Sequence, residues 1–419
     1  VSSDPHAIRE HTDQLVALED GQIAKVSARD FQVMQTDGQE VESMLLHLEE
    51  EWSESELGDY PHFMLKEIHE QSESLQHCIS GRLRHAEGTS VLGGLQIQPQ
   101  NLAQLPHVRL IGCGTALHAA QIGQILIEQW ARVPAVSHVA SEFNANDPVI
   151  NPKALHLAIS QSGETADTLS AVKEIQRKGA DVYGIVNVVG SSIARQCGKG
   201  VYIHSGPEQS VASTKAFTNM VGALTLFSLQ LGRSRHLSKT KGKMIGREMR
   251  KLPDKIRTYL ENPGPINAAV ELILKAKSVL FLGRGISSPV ASEGALKLME
   301  IAYIPCLAYP AGEMKHGPIA LIEENSPIVV IAPDDGVQER TLNAIHECKA
   351  RGAKIILIHE EGDPISEVGD ICIPVPSTIP MLTPLLTVLP TQLIAYHAAL
   401  ELGNDVDRPR NLAKSVTVE

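Results

Sequence analysis

The run Ser160-Gln161-Ser162-Gly163-Glu164-Thr165, with Thr168 one helical turn further on, gathers hydroxyls, an amide and a glycine into one short stretch. Ala154 to Ile159 before it is apolar and reads as a buried strand; Leu169 to Val172 after it begins a helical pattern. A loop at a helix start faces unpaired N–H groups and the positive end of the helix dipole. Added hydroxyls make it a phosphate cradle that needs no Lys or Arg. The plainer alternative is that Ser162 and Thr165 only cap the helix. Three further groups could carry chemistry. Glu293, Lys297 and Glu300 share a helix face, either as a solvent-exposed ion-pair stripe or as a general base, Glu300, beside a cation. His316 lies in the turn-rich Gly312-Glu313-Met314-Lys315-His316-Gly317-Pro318, as an acid/base or as a surface histidine. Lys414 belongs either to a frayed tail or to a closing segment whose amine forms a Schiff base with a carbonyl.

The elements around these residues alternate strand and helix. Val108 to Ile111 runs into Gly112-Cys113-Gly114-Thr115, a helix from about Leu117 to Trp130 follows, and Val136 to Val139 is the next strand. After the hydroxyl-rich loop a helix ends at Lys178-Gly179-Ala180, and Val182 to Val186 is again strand-like. The pattern then repeats. Gly283-Arg284-Gly285 lies 171 residues after the first Gly-x-Gly at Gly112, and Arg351-Gly352-Ala353 lies 173 after Lys178. Such matching offsets mark an internal duplication. The fold class is therefore α/β: two tandem three-layer α/β/α domains with parallel sheets. Neither Gly-x-Gly extends to GxGxxG, so tight βα turns explain them without a dinucleotide. The second copy has Ala332-Pro333-Asp334-Asp335-Gly336 where the first has its hydroxyls, so one copy is expected to bind and the other to support. Ahead of the duplication, short apolar runs with Asp20-Gly21 and Asp37-Gly38 suggest a small β-rich piece with tight turns.

The 419 residues carry a net charge of −12, which disfavours general binding to nucleic acid or a membrane surface. A basic stretch from Arg233 to Lys251 runs against that balance and reads as the solvated face of a connecting helix. Six scattered cysteines with no CxxC pair argue against a zinc ribbon or disulfide framework and for a reducing cytoplasm. No apolar run reaches transmembrane length. The chain starts at Val1, within apparent β structure, and is expected to be a piece of something longer.

Met64 to Gln71, Cys113-Gly114-Thr115, Ser160 to Thr168, Val211 to Ala216, Glu293 to Glu300, Gly312 to Pro318 and Pro409 to Glu419 occur together and in order. On these stretches the chain, from about residue 60 to its end, resembles the isomerase half of the glutamine–fructose-6-phosphate aminotransferases, built from two sugar isomerase (SIS) domains. The resemblance divides it into a remnant of a glutaminase-like domain (1–45), a helical connector (46–95), SIS domain 1 (96–235), a helical linker (236–265), SIS domain 2 (266–400) and an active-site tail (401–419). The family's glutaminase nucleophile, a cysteine at the first mature position, is absent here, so glutamine hydrolysis is not assigned.

The resemblance implies fructose 6-phosphate as substrate, its phosphate held by Ser160, Gln161, Ser162 and Thr165. Thr115, Ser213, Val211 and Ala413 line the sugar. It implies His316 as ring-opening acid/base, reached from the partner subunit of a homodimer, and Lys414 as the amine that holds the open ketose. Glu300 moves the proton between C1 and C2, assisted by Lys297, and the product is glucosamine 6-phosphate, with ammonia from a glutaminase domain. No metal and no cofactor is implied. Ala116 stands where the family usually has Ser, Met299 where a Lys is common, and Ser72 where a Pro often follows the Gln. Alternative readings are a related sugar-phosphate isomerase or deglycase, and a non-catalytic sugar-phosphate sensor.

Overall fold

The computed structural model describes residues 12, 14–16, 18, 21–27, 30–41, 46–47 and 56–417, which fall into two compact units, Val1–Glu56 and Leu57–Glu419. In the first unit β1 (Gln14–Leu15) pairs antiparallel with a later strand, and β2 (Gln22–Val26) with β3 (Phe31–Gln35). The partner of β1 is β4 (Leu46–His47). The Asp37-Gly38 turn forms as expected, with Gly38 at φ +87° and its N–H donating to the Gln35 carbonyl at 2.8 Å. Asp20 lies outside the described residues. Between β2 and β3 the Ser27 hydroxyl donates to the Asp30 carbonyl at 2.9 Å and accepts the Asp30 N–H at 3.0 Å, so no Asp-Gly pair joins those two strands.

The second unit opens with α1 (Phe63–His69), α2 (Gln71–Ile79), the ribbon of β5 (Leu83–Arg84) and β6 (Thr89–Ser90), and α3 (Pro99–Ala103). Then come β7 (Val108–Gly112), α4 (Thr115–Ala131), β8 (Ala135–Val139), α5 (Ala140–Phe143), β9 (Leu155–Ser160) and α6 (Ala166–Arg177). The first domain closes with β10 (Val182–Val186), α7 (Ser192–Cys197), β11 (Gly200–Tyr202) and α8 (Lys215–Arg233). After α9 (Lys239–Glu261) and α10 (Ile266–Ile273), the second domain runs β12 (Val279–Gly283), α11 (Ser287–Ala302), β13 (Cys306–Pro310), β14 (Pro327–Ile331), α12 (Gln338–Lys349), β15 (Lys354–Glu360), β16 (Ile371–Val375) and α13 (Pro384–Glu401). Of the basic stretch, Arg233 ends α8 and Arg235 lies in the connection, while Lys239, Lys241, Arg247, Arg250 and Lys251 are exposed on α9, whose apolar side buries Ile245, Met249, Leu252 and Ile256.

The two sheets have one topology. The first is ordered β8-β7-β9-β10-β11 and the second β13-β12-β14-β15-β16, all neighbours parallel. In each, the first strand of the domain lies between the second and the third. Their connections leave in opposite directions there, which opens a crevice at the carboxyl ends of β7 and β9, and again of β12 and β14. The strands are nearly continuous runs of Val, Ile and Leu because both faces are covered. One core joins the inner faces of both sheets through α4, α8, α11 and α13, with Leu110, Leu157, Leu224, Phe281, Val290 and Leu389 among its members. Smaller cores lie under α6 and α12 on the outer faces. The tandem α/β/α arrangement read from the duplication is the one observed.

Candidate active site

The hydroxyl-rich loop occupies the crevice of the first domain, between the end of β9 and α6. Gly163 adopts φ +68°, and a Cβ there would stand 2.0 Å from the Ser191 hydroxyl, so the turn admits only glycine. The Ser160 Oγ accepts the Gly163 N–H at 3.0 Å and lies 3.0 Å from the Thr165 hydroxyl; Ser162 Oγ accepts the Glu164 N–H at 3.1 Å. Glu164 turns outward and accepts the Ser192 N–H at the start of α7. Thr165 occupies the N-cap position of α6 but makes no side-chain cap bond. These hydroxyls shape the loop rather than cap the helix, and the positive end of α6 faces the crevice.

Thr115 begins α4, directly after β7, the strand beside β9. Its hydroxyl donates to Glu293 Oε1 at 3.0 Å and receives the Lys297 ammonium at 3.1 Å, joining the first domain to α11 of the second. Lys297 is 1% exposed and lies 2.6 Å from Glu300 and 3.4 Å from Glu293. His118 closes the other side of Glu293 at 2.7 Å. Burial pushes the Lys297 pKa down, but the charges of Glu300 and Glu293 more than offset this and hold it above the usual lysine value. Burial likewise pushes Glu293 up, and Lys297, His118 and Thr115 bring it below the usual carboxylate range. The solvent-exposed stripe is thus excluded: Glu293 and Lys297 are interior, and only Glu300 reaches toward solvent. Deleting one partner of so buried a pair strands the other charge, at a cost of about 3–5 kcal/mol.

The tail is not frayed. The Asp407 carboxylate accepts the Phe63 and Met64 N–H groups (2.9 and 2.8 Å) at the open end of α1, and its carbonyl accepts the Val211 N–H at 3.0 Å. Arg410 donates its N–H to the Tyr303 hydroxyl and stacks its guanidinium over that ring at 4.2 Å. Lys414 reaches Glu208 Oε2 at 2.6 Å, the Ser210 carbonyl at 2.8 Å and Ser213 Oγ at 3.5 Å. The Val416 carbonyl then accepts the N–H of Ala166, the first residue of α6, at 3.0 Å. Lys414 is therefore two residues from a contact with the phosphate-type loop. These contacts link Thr115, Lys297 and Glu300 in one group and Lys414, Ser213 and the Val211 backbone in another, and the tail carries the second group to the helix that follows Ser160, Gln161, Ser162 and Thr165. Ala413 is exposed on the tail beside Lys414. His316 stands apart, exposed at the end of a 3-10 helix (Ala311–His316), and none of the described residues bonds to its imidazole.

Sequence reasoning gave no role to Glu208, Glu67 or His118. Glu208 is fully buried; its Oε1 accepts the Thr214 and Ala216 N–H groups, and burial is outweighed by Lys414, so its pKa falls below the usual range. Its signal was a carboxylate just before Val211 to Ala216. Among the departures from the family pattern, Ser72 donates to the Pro253 carbonyl at 2.7 Å and so ties α2 to α9. Ala116 packs beneath Gly112, and Met299 is half exposed. At the corresponding turn of the second domain, Asp335 accepts the Val337 N–H and the Ser287 hydroxyl.

A model of the SIS domain matches residues 101–229 and again 272–402, one match per parallel sheet. The isomerising glutamine–fructose-6-phosphate aminotransferase of Thermus thermophilus is 44% identical over 421 residues, covering 100% of this chain and 69% of its own length. That of Bacteroides thetaiotaomicron is 45% identical over 422 residues with the same coverage. Among solved structures, the C-terminal domain of glucosamine-fructose-6-phosphate aminotransferase from Francisella tularensis superposes with a TM-score of 0.78 at 35% identity, covering 85% of this chain and 100% of that one. A glucosamine-6-phosphate deaminase from Thermotoga maritima shares the fold, with a TM-score of 0.63 at 21% identity.

Proposed function

This chain belongs to the family of isomerising glutamine–fructose-6-phosphate aminotransferases, as their isomerase part, and we propose that it converts fructose 6-phosphate and ammonia to glucosamine 6-phosphate in the crevice of its first domain. One observation carries the reading: the Thr115 hydroxyl ties the buried Lys297–Glu300 pair to the same switch point that holds the hydroxyl-rich loop. The phosphate lies against Ser160, Gln161, Ser162 and Thr165 at the start of α6, where helix N–H groups and hydroxyls complement its charge. Thr115, Ser213, Ala413 and the backbone at Val211 surround the sugar.

Ring opening exposes the C2 carbonyl. His316 acts as acid/base in that step and comes from the partner subunit of a homodimer; its exposed position on its own chain supports this. Lys414, as the neutral amine, condenses with C2 and releases water; ammonia then displaces the lysine and leaves the C2 imine. Glu300 takes a proton from C1 and returns it to C2, which leaves an aldehyde at C1 and an amine at C2. Lys297, 2.6 Å from that carboxylate, holds it in place. Ammonia is delivered by a glutaminase domain. No helix among the described residues is long and apolar enough to cross a membrane; the cytoplasmic setting we assign rests on the six free cysteines.

The test incubates the chain with fructose 6-phosphate, with and without ammonia, and follows glucose 6-phosphate and glucosamine 6-phosphate. Glu300→Gln is expected to lower both rates by on the order of a hundredfold or more, and full turnover by that variant would sink the assignment of the base.

A further inference from the structure

Glu67 on α1 has no place in the chemistry above, yet it is completely buried beside the residues that hold Lys414. Its Oε1 accepts the N–H groups of Gln209 and Ser210, at 2.5 and 3.2 Å. Its Oε2 is buried with no hydrogen-bond partner. Glu208 pins the other end of the same segment through the Thr214 and Ala216 N–H groups. Residues 208–216 are thus clamped by two interior carboxylates, and Lys414 rests on that segment through Glu208, Ser210 and Ser213. Of this pair only Glu208 is in direct contact with an ammonium, that of Lys414, among the described residues. The nearest other cation, Lys215, is committed to Glu70 at 2.6 Å, and Glu70 is also paired with Lys66.

We propose that Glu67 is a positioning residue for Lys414: as a neutral acid it clamps the 208–216 segment and leaves Glu208 as the single carboxylate that holds, and then takes the proton from, the Lys414 ammonium. The inference rests on Lys414 acting as the amine. In that step Lys414–NH3+ and the Glu208 carboxylate become Lys414–NH2 and Glu208–COOH, after which the amine condenses with the ketose carbonyl and water leaves. The cluster is electrically neutral before and after, as its burial demands. A second ionised carboxylate would hold the ammonium in its dock. The charged groups acting on Glu67 are Glu208 and Lys414 from the segment and the tail and Lys215 from α8, whose ammonium is paired with Glu70 just after α1; the charge of Glu208 also reaches Lys297. Burial first, and then the charge of Glu208, push the Glu67 carboxyl up to about 8, against the opposing pull of Lys414 and Lys215. At neutral pH it is therefore mostly protonated and ionises as the pH rises past 8.

The experiment measures ammonia-dependent conversion of fructose 6-phosphate to glucosamine 6-phosphate from pH 6 to 9.5, at a fixed concentration of free ammonia, for the full chain and for Glu67→Gln, Glu67→Ala and Lys414→Ala. Glutamine offers the same acceptor as a protonated glutamic acid but cannot ionise. Glu67→Gln should therefore keep neutral-pH turnover within about threefold, and the ratio of its rate to the parent's should rise about tenfold between pH 7 and 9, the fraction by which an acid titrating near 8 loses its neutral form. Glu67→Ala should lose turnover at every pH without that change of shape. A pH-independent ratio for Glu67→Gln, or failure of that variant to fold, overturns the proposal. Full turnover by Lys414→Ala would instead overturn the reading on which it rests.

Discussion

Gly163 shows how tightly single residues are constrained here. Its φ of +68° is strained for any L side chain, and a methyl group would collide with Ser191. Gly163→Ala must open the loop by moving Ser160 or the start of α7, both of which set the hydroxyl geometry. The expected outcome is a KM for fructose 6-phosphate raised about tenfold or more, the equivalent of about 1.4 kcal/mol. Steady-state kinetics with an unchanged KM would refute the loop as the phosphate site. Lys297 makes the complementary point about charge. Its i, i+3 and i, i+4 neighbours could be read from the sequence. Their burial could not, because it depends on α4 packing over α11 and on Thr115 arriving from another domain.

At the scale of the element, β9 combines a proposed phosphate contact at its end with a liability in its middle. Ser160 ends the strand, while His156 is wholly buried within it and faces Arg109 of β7 across the sheet. Burial, followed by the Arg109 charge, lowers the His156 pKa to about 4. A histidine kept neutral in the fold but titrating near 6.5 when unfolded contributes stability that is fully present above pH 6.5 and is lost as the pH falls toward 4. Urea unfolding should show a loss of about 2 kcal/mol from this group between pH 7 and pH 5. His156→Leu should lose correspondingly less over the same interval; an equal loss in both proteins would contradict the assignment. Strand alternation did not reveal this residue, since in a strand covered on both faces every position is interior.

At the scale of the whole molecule, residues 404–416 tie the two SIS domains together. They leave α13, bond to Ile301 through Asn404, cap α1 through Asp407, stack on Tyr303 through Arg410 and end on the N-terminus of α6. Asp407 serves two segments at once, its side chain on α1 and its carbonyl on Val211. Asp407→Ala should cost about 1–2 kcal/mol in urea unfolding of the full chain, the price of an N-cap. Because α1 also carries Glu67, the same variant should weaken turnover. An unchanged unfolding midpoint would mean that the tail does not brace the helix.

Much was legible from the chain alone. The duplicated strand–helix pattern, the hydroxyl loop at one strand end, its acidic counterpart in the second copy and the shared face of Glu293, Lys297 and Glu300 are local properties, set by periods of two and 3.6 residues and by turn chemistry. The stretches that carried the family resemblance extended this to the family, which the comparisons show, and to residue roles that stand as proposals. Tertiary structure alone decided which of those charges lie in the interior, that Lys414 is docked rather than frayed, and that Glu67 and Glu208 grip one segment from residues about 140 positions apart. The reason is physical. A carboxylate's protonation and partners are set by what packs around it, and here those groups come from α1, α8, α11 and the tail, brought together only when the two domains close on one core.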